Sequence, residues 1–306
     1  MSQQQSALFA GIHPMMAIGS AALVAAFVLF TLISPQTADA LYSSARDFIA
    51  AELSWYYIVL MNLYIGLALI LVFSRYGSIR LGTDSDRPEF GYFAWFSMLF
   101  GAGIGIGILF WSIAEPIYYL QGNPFITADQ VLTPEAAQVA MRVTIFHWGL
   151  HGWALYALLG MCFAYFSYRK GLPLSIRSAL YPILGERIYG PIGYIADLLA
   201  VLGTVFGIAT SLGMGAQQMN AGISYLLGID INTETQIILI AIISIIATIS
   251  VLTGVNRGIR LLSVLNMRLT MLILALFFIF GPSLYLLSAI GSNSLDYLIN
   301  APALGA

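Results

Sequence analysis

Seven apolar stretches alternate with polar connections along the chain: Gly11 to Ile33, Tyr56 to Phe73, Tyr92 to Leu120, Val143 to Phe166, Ile192 to Leu227, Ile237 to Leu252 and Leu261 to Ile290. A bilayer core is about 30 Å thick and a helix rises about 1.5 Å per residue, so about 20 apolar residues cross it. The pattern predicts an all-α polytopic membrane protein with about seven transmembrane helices. The third, fifth and seventh stretches exceed a perpendicular crossing and are expected to be tilted, bent or protruding. Pro282 gives the seventh a cause for bending, and Pro116 limits how regularly the third continues past Glu115. Ser44 to Leu53 reads as a short amphipathic helix on the outer surface and Leu174 to Leu184 as one on the inner surface. The first run has no Lys or Arg before it and outlasts a signal-peptide core, so it is expected to be an uncleaved span.

Composition agrees: 59% hydrophobic and 8% charged residues, with a mean hydropathy of +0.87, cannot clothe a soluble surface. The single Cys162 excludes an intramolecular disulfide framework and a cysteine-based metal cluster. Basic residues lie unevenly. Arg75, Arg80 and Arg87 sit between the second and third spans, Arg169, Lys170, Arg177 and Arg187 between the fourth and fifth, and Arg257, Arg260 and Arg268 around the sixth-to-seventh connection. Only Arg46 and Arg142 fall on the opposite side, with Asp39, Asp47, Glu52, Asp129, Glu135, Asp230 and Glu234. The positive-inside rule then places the N-terminus in the cytoplasm and the end after the seventh span outside, in an inner (plasma) membrane. That orientation opposes a rhodopsin-like receptor, and Lys170 lies in a connection where it cannot hold retinal. No nucleophile–base pair or ligand cluster occurs in the spans, so an enzyme is not expected.

Two regions carry candidate chemistry. In Gly101-Ala102-Gly103-Ile104-Gly105-Ile106-Gly107 a glycine stands at every second position of a span, where it weakens a helix. Gly101/Gly105 and Gly103/Gly107 are two GxxxG pairs, and helix packing accounts for each alone. Interleaved, they favour an unwound or hinged segment whose exposed backbone lines a substrate path. The second region is Phe146-His147-Trp148-Gly149-Leu150-His151-Gly152-Trp153-Ala154-Leu155-Tyr156. On a continuous helix Trp153 falls at about 140° and Tyr156 at about 80° from Trp148, so three rings share one side. Such rings serve as interfacial anchors, or hold a quaternary ammonium cation on their π faces at up to roughly 2 kcal/mol each. No carboxylate is expected beside them: Glu115 reads as a helix-capping or helix-bridging group near the outer surface. His147 and His151, spaced i, i+4, are read as packing histidines rather than a metal pair. Asp197 is read as paired or hydrated near the inner boundary, Thr204 as a hydroxyl for sodium or for its own backbone, and Gln217, Gln218 and Asn220 as interhelical hydrogen-bonders.

Gly103-Ile104-Gly105-Ile106-Gly107 with Phe110 and Glu115-Pro116, then Phe146-His147-Trp148 with Trp153 and Tyr156, together resemble the betaine/choline/carnitine transporter family. Tyr76 to Gly82, Thr204 to Gly207, Ser211 to Gly215 and Thr253 to Ile259 extend the resemblance over nearly the whole chain. It implies two leading helices followed by the first five-helix repeat of a LeuT-like inverted-repeat core: residues 1–90, 91–290 and an extracytoplasmic tail at 291–306. It implies transport of a quaternary ammonium compound such as glycine betaine, choline or carnitine, with sodium as the coupling ion. Trp148, Trp153, Tyr156 and the backbone of Gly103, Ile104, Gly105, Ile106 and Gly107 would contact substrate; Gly101, Ile104 and Thr204 would be sodium ligands. Partners would be the bilayer and, by resemblance, further copies in a trimer; no nucleic acid and no cofactor are expected. Three departures matter. Ile104 replaces a usual Met, Gly107 stands where proton-coupled members carry Asp, and Ile208 replaces a second sodium-site threonine. The chain stops where the family's second repeat would begin, so it is expected to be the N-terminal part of a transporter, with a non-transporting subunit as the alternative.

Overall fold

The computed structural model describes residues 14–103 and 105–305. Among the described residues every regular element is helical, and the chain divides into two units.

The first unit comprises residues 14–86 and 153–207. Helix α1 (Pro14–Ile33) ends where Pro35 forces Ser34 out of the helical region, and Pro35 then opens α2 (Pro35–Glu52) at its first position. The predicted surface helix at Ser44 is thus the second half of a longer one. Thr31 and Tyr42 share a hydroxyl hydrogen bond of 2.8 Å across the α1–α2 corner, and the Phe27 ring stacks on Tyr42 at 5.0 Å. Leu53 separates α2 from α3 (Ser54–Phe73). In the connection that follows, Arg169 Nη1 donates to Asp84 Oδ1 at 2.6 Å and to the Gly82 carbonyl at 2.9 Å. The predicted inner-surface helix at Leu174 to Leu184 is instead a string of short turns: Ile176–Leu180, a one-turn α8 (Tyr181–Leu184) and Gly185–Tyr189. Pro182 removes a backbone donor there and Gly185 adopts φ 54°, a left-handed value, so no regular helix can run through.

The second unit comprises residues 87–152 and 208–304. The predicted third span is two helices, α4 (Tyr92–Gly103) and α5 (Ile106–Gln121), each too short to cross alone. Pro116 does not stop α5, which runs on to Gln121; a missing donor is tolerated where neighbouring helices satisfy the freed groups. Helix α6 (Pro134–Trp148) starts well before the predicted fourth span. Thr133 caps it, accepting the Ala136 N–H at 3.1 Å, with Pro134 at the first position. Gly149 separates α6 from α7 (Leu150–Ala164), which continues into the first unit. Helix α9 (Pro191–Leu227) also passes from one unit to the other and is 37 residues, about 55 Å, long.

Asn220 is fully buried near the end of α9. Its amide donates to the Asp230 carbonyl at 3.1 Å and accepts the Asn232 N–H at 3.2 Å, fastening the turn to α10 (Thr233–Leu252). It is a turn anchor, where an interhelical bond was expected. The predicted seventh span is also two helices. The bend expected at Pro282 is a full break: α11 (Arg260–Phe280) closes at Gly281, and α12 (Ser283–Leu304) begins afresh through the expected tail. In this unit α5 packs on α6, α4 on α11 and α6 on α12.

Among the described residues, six helical stretches are long and apolar enough to cross a membrane: Met16–Ile33, Ser54–Phe73, Pro134–Arg169, Pro191–Leu227, Thr233–Leu252 and Val255–Phe280. Along α10, Ile237, Ile238, Ile242, Ile245 and Ile249 are all exposed, a surface that suits lipid and not water.

Candidate functional site

The glycine-rich run breaks the helix. After α4 ends at Gly103, Gly105 is extended (φ −106°, ψ −167°) and helix resumes at Ile106. Ile104 lies outside the described residues. The glycines around the break do different things. A Cβ on Gly101 would meet Ser263 and Asn266 of α11 at 3.6–3.7 Å, so this position lets two helices approach. A Cβ on Gly107 would lie 4.0 Å from Cη2 of Trp148.

Trp148 is the last residue of α6, and Gly149 breaks the register after it (φ −96°, ψ −143°). A Cβ on Gly149 would lie 2.4 Å from the Ile145 carbonyl oxygen, so no other residue fits without backbone movement. The break removes the continuous helix along which the shared side of Trp148, Trp153 and Tyr156 was counted. Trp148 falls in the second unit, between α5 and α6. Trp153 and Tyr156 fall in the first, their rings edge-on at 5.6 Å and 89°.

A carboxylate joins Trp148 after all. Glu115, near the C-terminal end of α5 and only 6% exposed, accepts the Trp148 indole N–H on Oε2 at 2.6 Å; its Oε1 pairs with His147 Nδ1. Glu115 does bridge two helices, but the expectation that no carboxylate stands by the rings fails. The available signal was an ionisable residue late in an apolar run, which is costly unless paired. Beside this cluster a cavity of about 160 Å³ is lined by Ile108, Ser112, Thr144, Ile145, Trp148 and Gly149.

Helix α12 holds α6 and the start of α7 in place. Arg142 makes a bidentate pair with Asp296, Nε to Oδ2 at 2.6 Å and Nη2 to Oδ1 at 2.8 Å, and Gln138 donates to the same carboxylate at 3.1 Å. His151 is buried and shares a 2.8 Å hydrogen bond with the Tyr297 hydroxyl. The two histidines therefore serve separate partners. In the first unit Asp197 pairs with Arg177, at 3.2 Å from Nε and 3.1 Å from the backbone N–H. The Thr204 hydroxyl donates to the Ala200 carbonyl one turn back, at 2.8 Å.

A polytopic helical protein with an interrupted span, a buried carboxylate and a tryptophan-lined cavity beside the interruption has the make-up of a membrane transporter. Residues 15–305 match a model of the betaine/carnitine/choline family of transporters, and the chain belongs to that family. It is 42% identical to a glycine betaine transporter of Bacillus subtilis, over 91% of this chain and 54% of that protein. It is 45% identical to a high-affinity choline transport protein of Escherichia coli, over 94% and 42% respectively. A glycine betaine transporter of Acinetobacter baylyi is 37% identical over 98% of the chain and 45% of its own length. The chain spans about half the length of the curated relatives it matches.

Proposed function

We propose that this chain supplies the N-terminal half of a secondary transporter for quaternary ammonium compounds, with glycine betaine and choline as the leading substrates and carnitine as the third. The observation that carries the reading is the Trp148 ring, which lines a cavity next to the broken backbone at Gly105. A trimethylammonium group has no proton to donate, so recognition falls to π faces and excluded water. The names of the relatives favour the same substrates. Trp153 and Tyr156, ring to ring in the first unit, are the other aromatic candidates for that role. Uptake is proposed to be sodium-coupled, with Gly101, Ile104 and Thr204 as candidate ligands and the N-terminus in the cytoplasm of a plasma-membrane protein. A homotrimer is proposed on resemblance alone.

Uptake of radiolabelled glycine betaine, choline and carnitine by the native-length protein, with and without sodium, tests the reading in cells stripped of their own carriers for these solutes. Sodium-dependent uptake of at least one is expected, with Trp148→Ala weakening apparent affinity about tenfold or more. Uptake of none of the three, or an unchanged apparent affinity in Trp148→Ala, refutes it.

A further inference from the structure

We propose that Glu115 is a positioning residue: its carboxylate fixes the plane of the Trp148 indole against the cavity, and it acts through that ring, not as a counter-charge to the substrate. A carboxylate within an apolar helix is costly unless each oxygen finds a donor. Here both oxygens are used, by His147 and Trp148, neighbouring residues in the last turn of α6. Successive side chains on a helix diverge by about 100°, so one carboxylate reaching both fixes the orientation of that turn.

The indole is held on α5 at its N–H end and faces bare backbone at the other. Its N–H end rests on Glu115, and its far edge, Cη2, lies over Gly107 near the start of the same helix. Trp148 also ends its helix, next to a residue without a side chain, so fewer neighbours restrict its rotamer than in a helix interior. An indole N–H can only donate, and a charged acceptor makes the stronger, shorter bond. The ring that walls the cavity between α5 and α6 therefore takes its orientation from Glu115.

This inference rests on the reading of Trp148 as a substrate-binding ring, and a double-mutant cycle in the native-length protein tests it. Glu115→Gln is expected to raise apparent KM for the transported substrate roughly tenfold, the scale of one charge-assisted hydrogen bond, with maximal rate nearly unchanged. In a Trp148→Phe background, which keeps a ring but has no N–H, the same substitution is expected to change KM less than about twofold. Equal fold-changes in both backgrounds would make Glu115 a direct counter-charge, or a general structural support, and overturn the proposal. A second measurement needs neither transport nor a Glu115 variant. In purified protein labelled with ¹⁵N-tryptophan, the Trp148 indole signal, identified by its loss in Trp148→Phe, is expected downfield of the ordinary indole range. A Trp148 signal at the ordinary position overturns the positioning role. An absence of uptake with a downfield signal rejects the proposed substrate class and leaves the Glu115–Trp148 bond standing.

Discussion

Two glycines show how differently the local packing constrains single residues. At Gly149 a methyl group would stand 2.4 Å from a backbone oxygen, whereas at Gly107 it would make ordinary contact with Trp148. Gly149→Ala is therefore expected to cost about 1–3 kcal/mol of stability, and Gly107→Ala close to nothing; thermal unfolding of the purified variants compares them. Asp84 offers a titration. The Arg169 guanidinium holds its carboxyl below the usual range, first by a hydrogen bond and then by charge. Because the folded value is depressed, the pair's contribution is complete above the ordinary aspartate value of about 3.9 and fades as pH falls through the folded one. Arg169→Gln should return the Asp84 titration toward that ordinary value, as read by carboxyl carbon NMR. At this scale the glycine run and the rings were legible, because residue type alone suggests bare backbone and π faces. The use of Glu115 was not: its partners stand 32 and 33 positions away, and only the packing of α5 on α6 brings them together.

The helices were legible where apolar length alone decides, as in α3 and α10, whose ends match the predicted spans to within a few residues. They were misread where a glycine or proline decides. Gly105, Gly149 and the Gly281-Pro282 pair each turn one expected span into two helices, and Pro35 opens α2 before any amphipathic pattern begins. Hydrophobic runs continue across such breaks, so a pattern of apolar positions carries no sign of them. The α6–α12 contact adds a pairing that no local spacing reveals. Arg142 and Asp296 are largely buried and bidentate, so they lie between the exposed and fully buried limits for an ion pair. Arg142→Lys keeps the charge but loses the planar fork, and is expected to cost about 1–2 kcal/mol in chemical denaturation; Asp296→Asn should cost more, because it leaves a partly buried cation without its counter-charge.

For the whole molecule the clearest expectation concerns sidedness. Nine of the twelve basic residues fall in or at the ends of the connections assigned to the cytoplasm, and Arg268 stands just inside the next span. In a Cys162→Ser background, a cysteine at Ser85 is expected to react with a membrane-impermeant maleimide only after the cells are opened. One at Ala128 should react in intact cells. The reverse pattern would invert the topology. The gap between α4 and α5 has its own consequence at this scale. The last carbonyls of α4 and the first N–H groups of α5 have no partners within their own helices. Hydrocarbon would penalise each such group by several kcal/mol, so the break belongs where water, a polar side chain or a bound solute can meet them, and water is the partner that exchange reads. In deuterium oxide, the amides from Gly105 to Ile108 should trade their hydrogens within minutes, while those in the middle of α10 keep theirs for hours. Gly105 marks a damp seam in a dry wall.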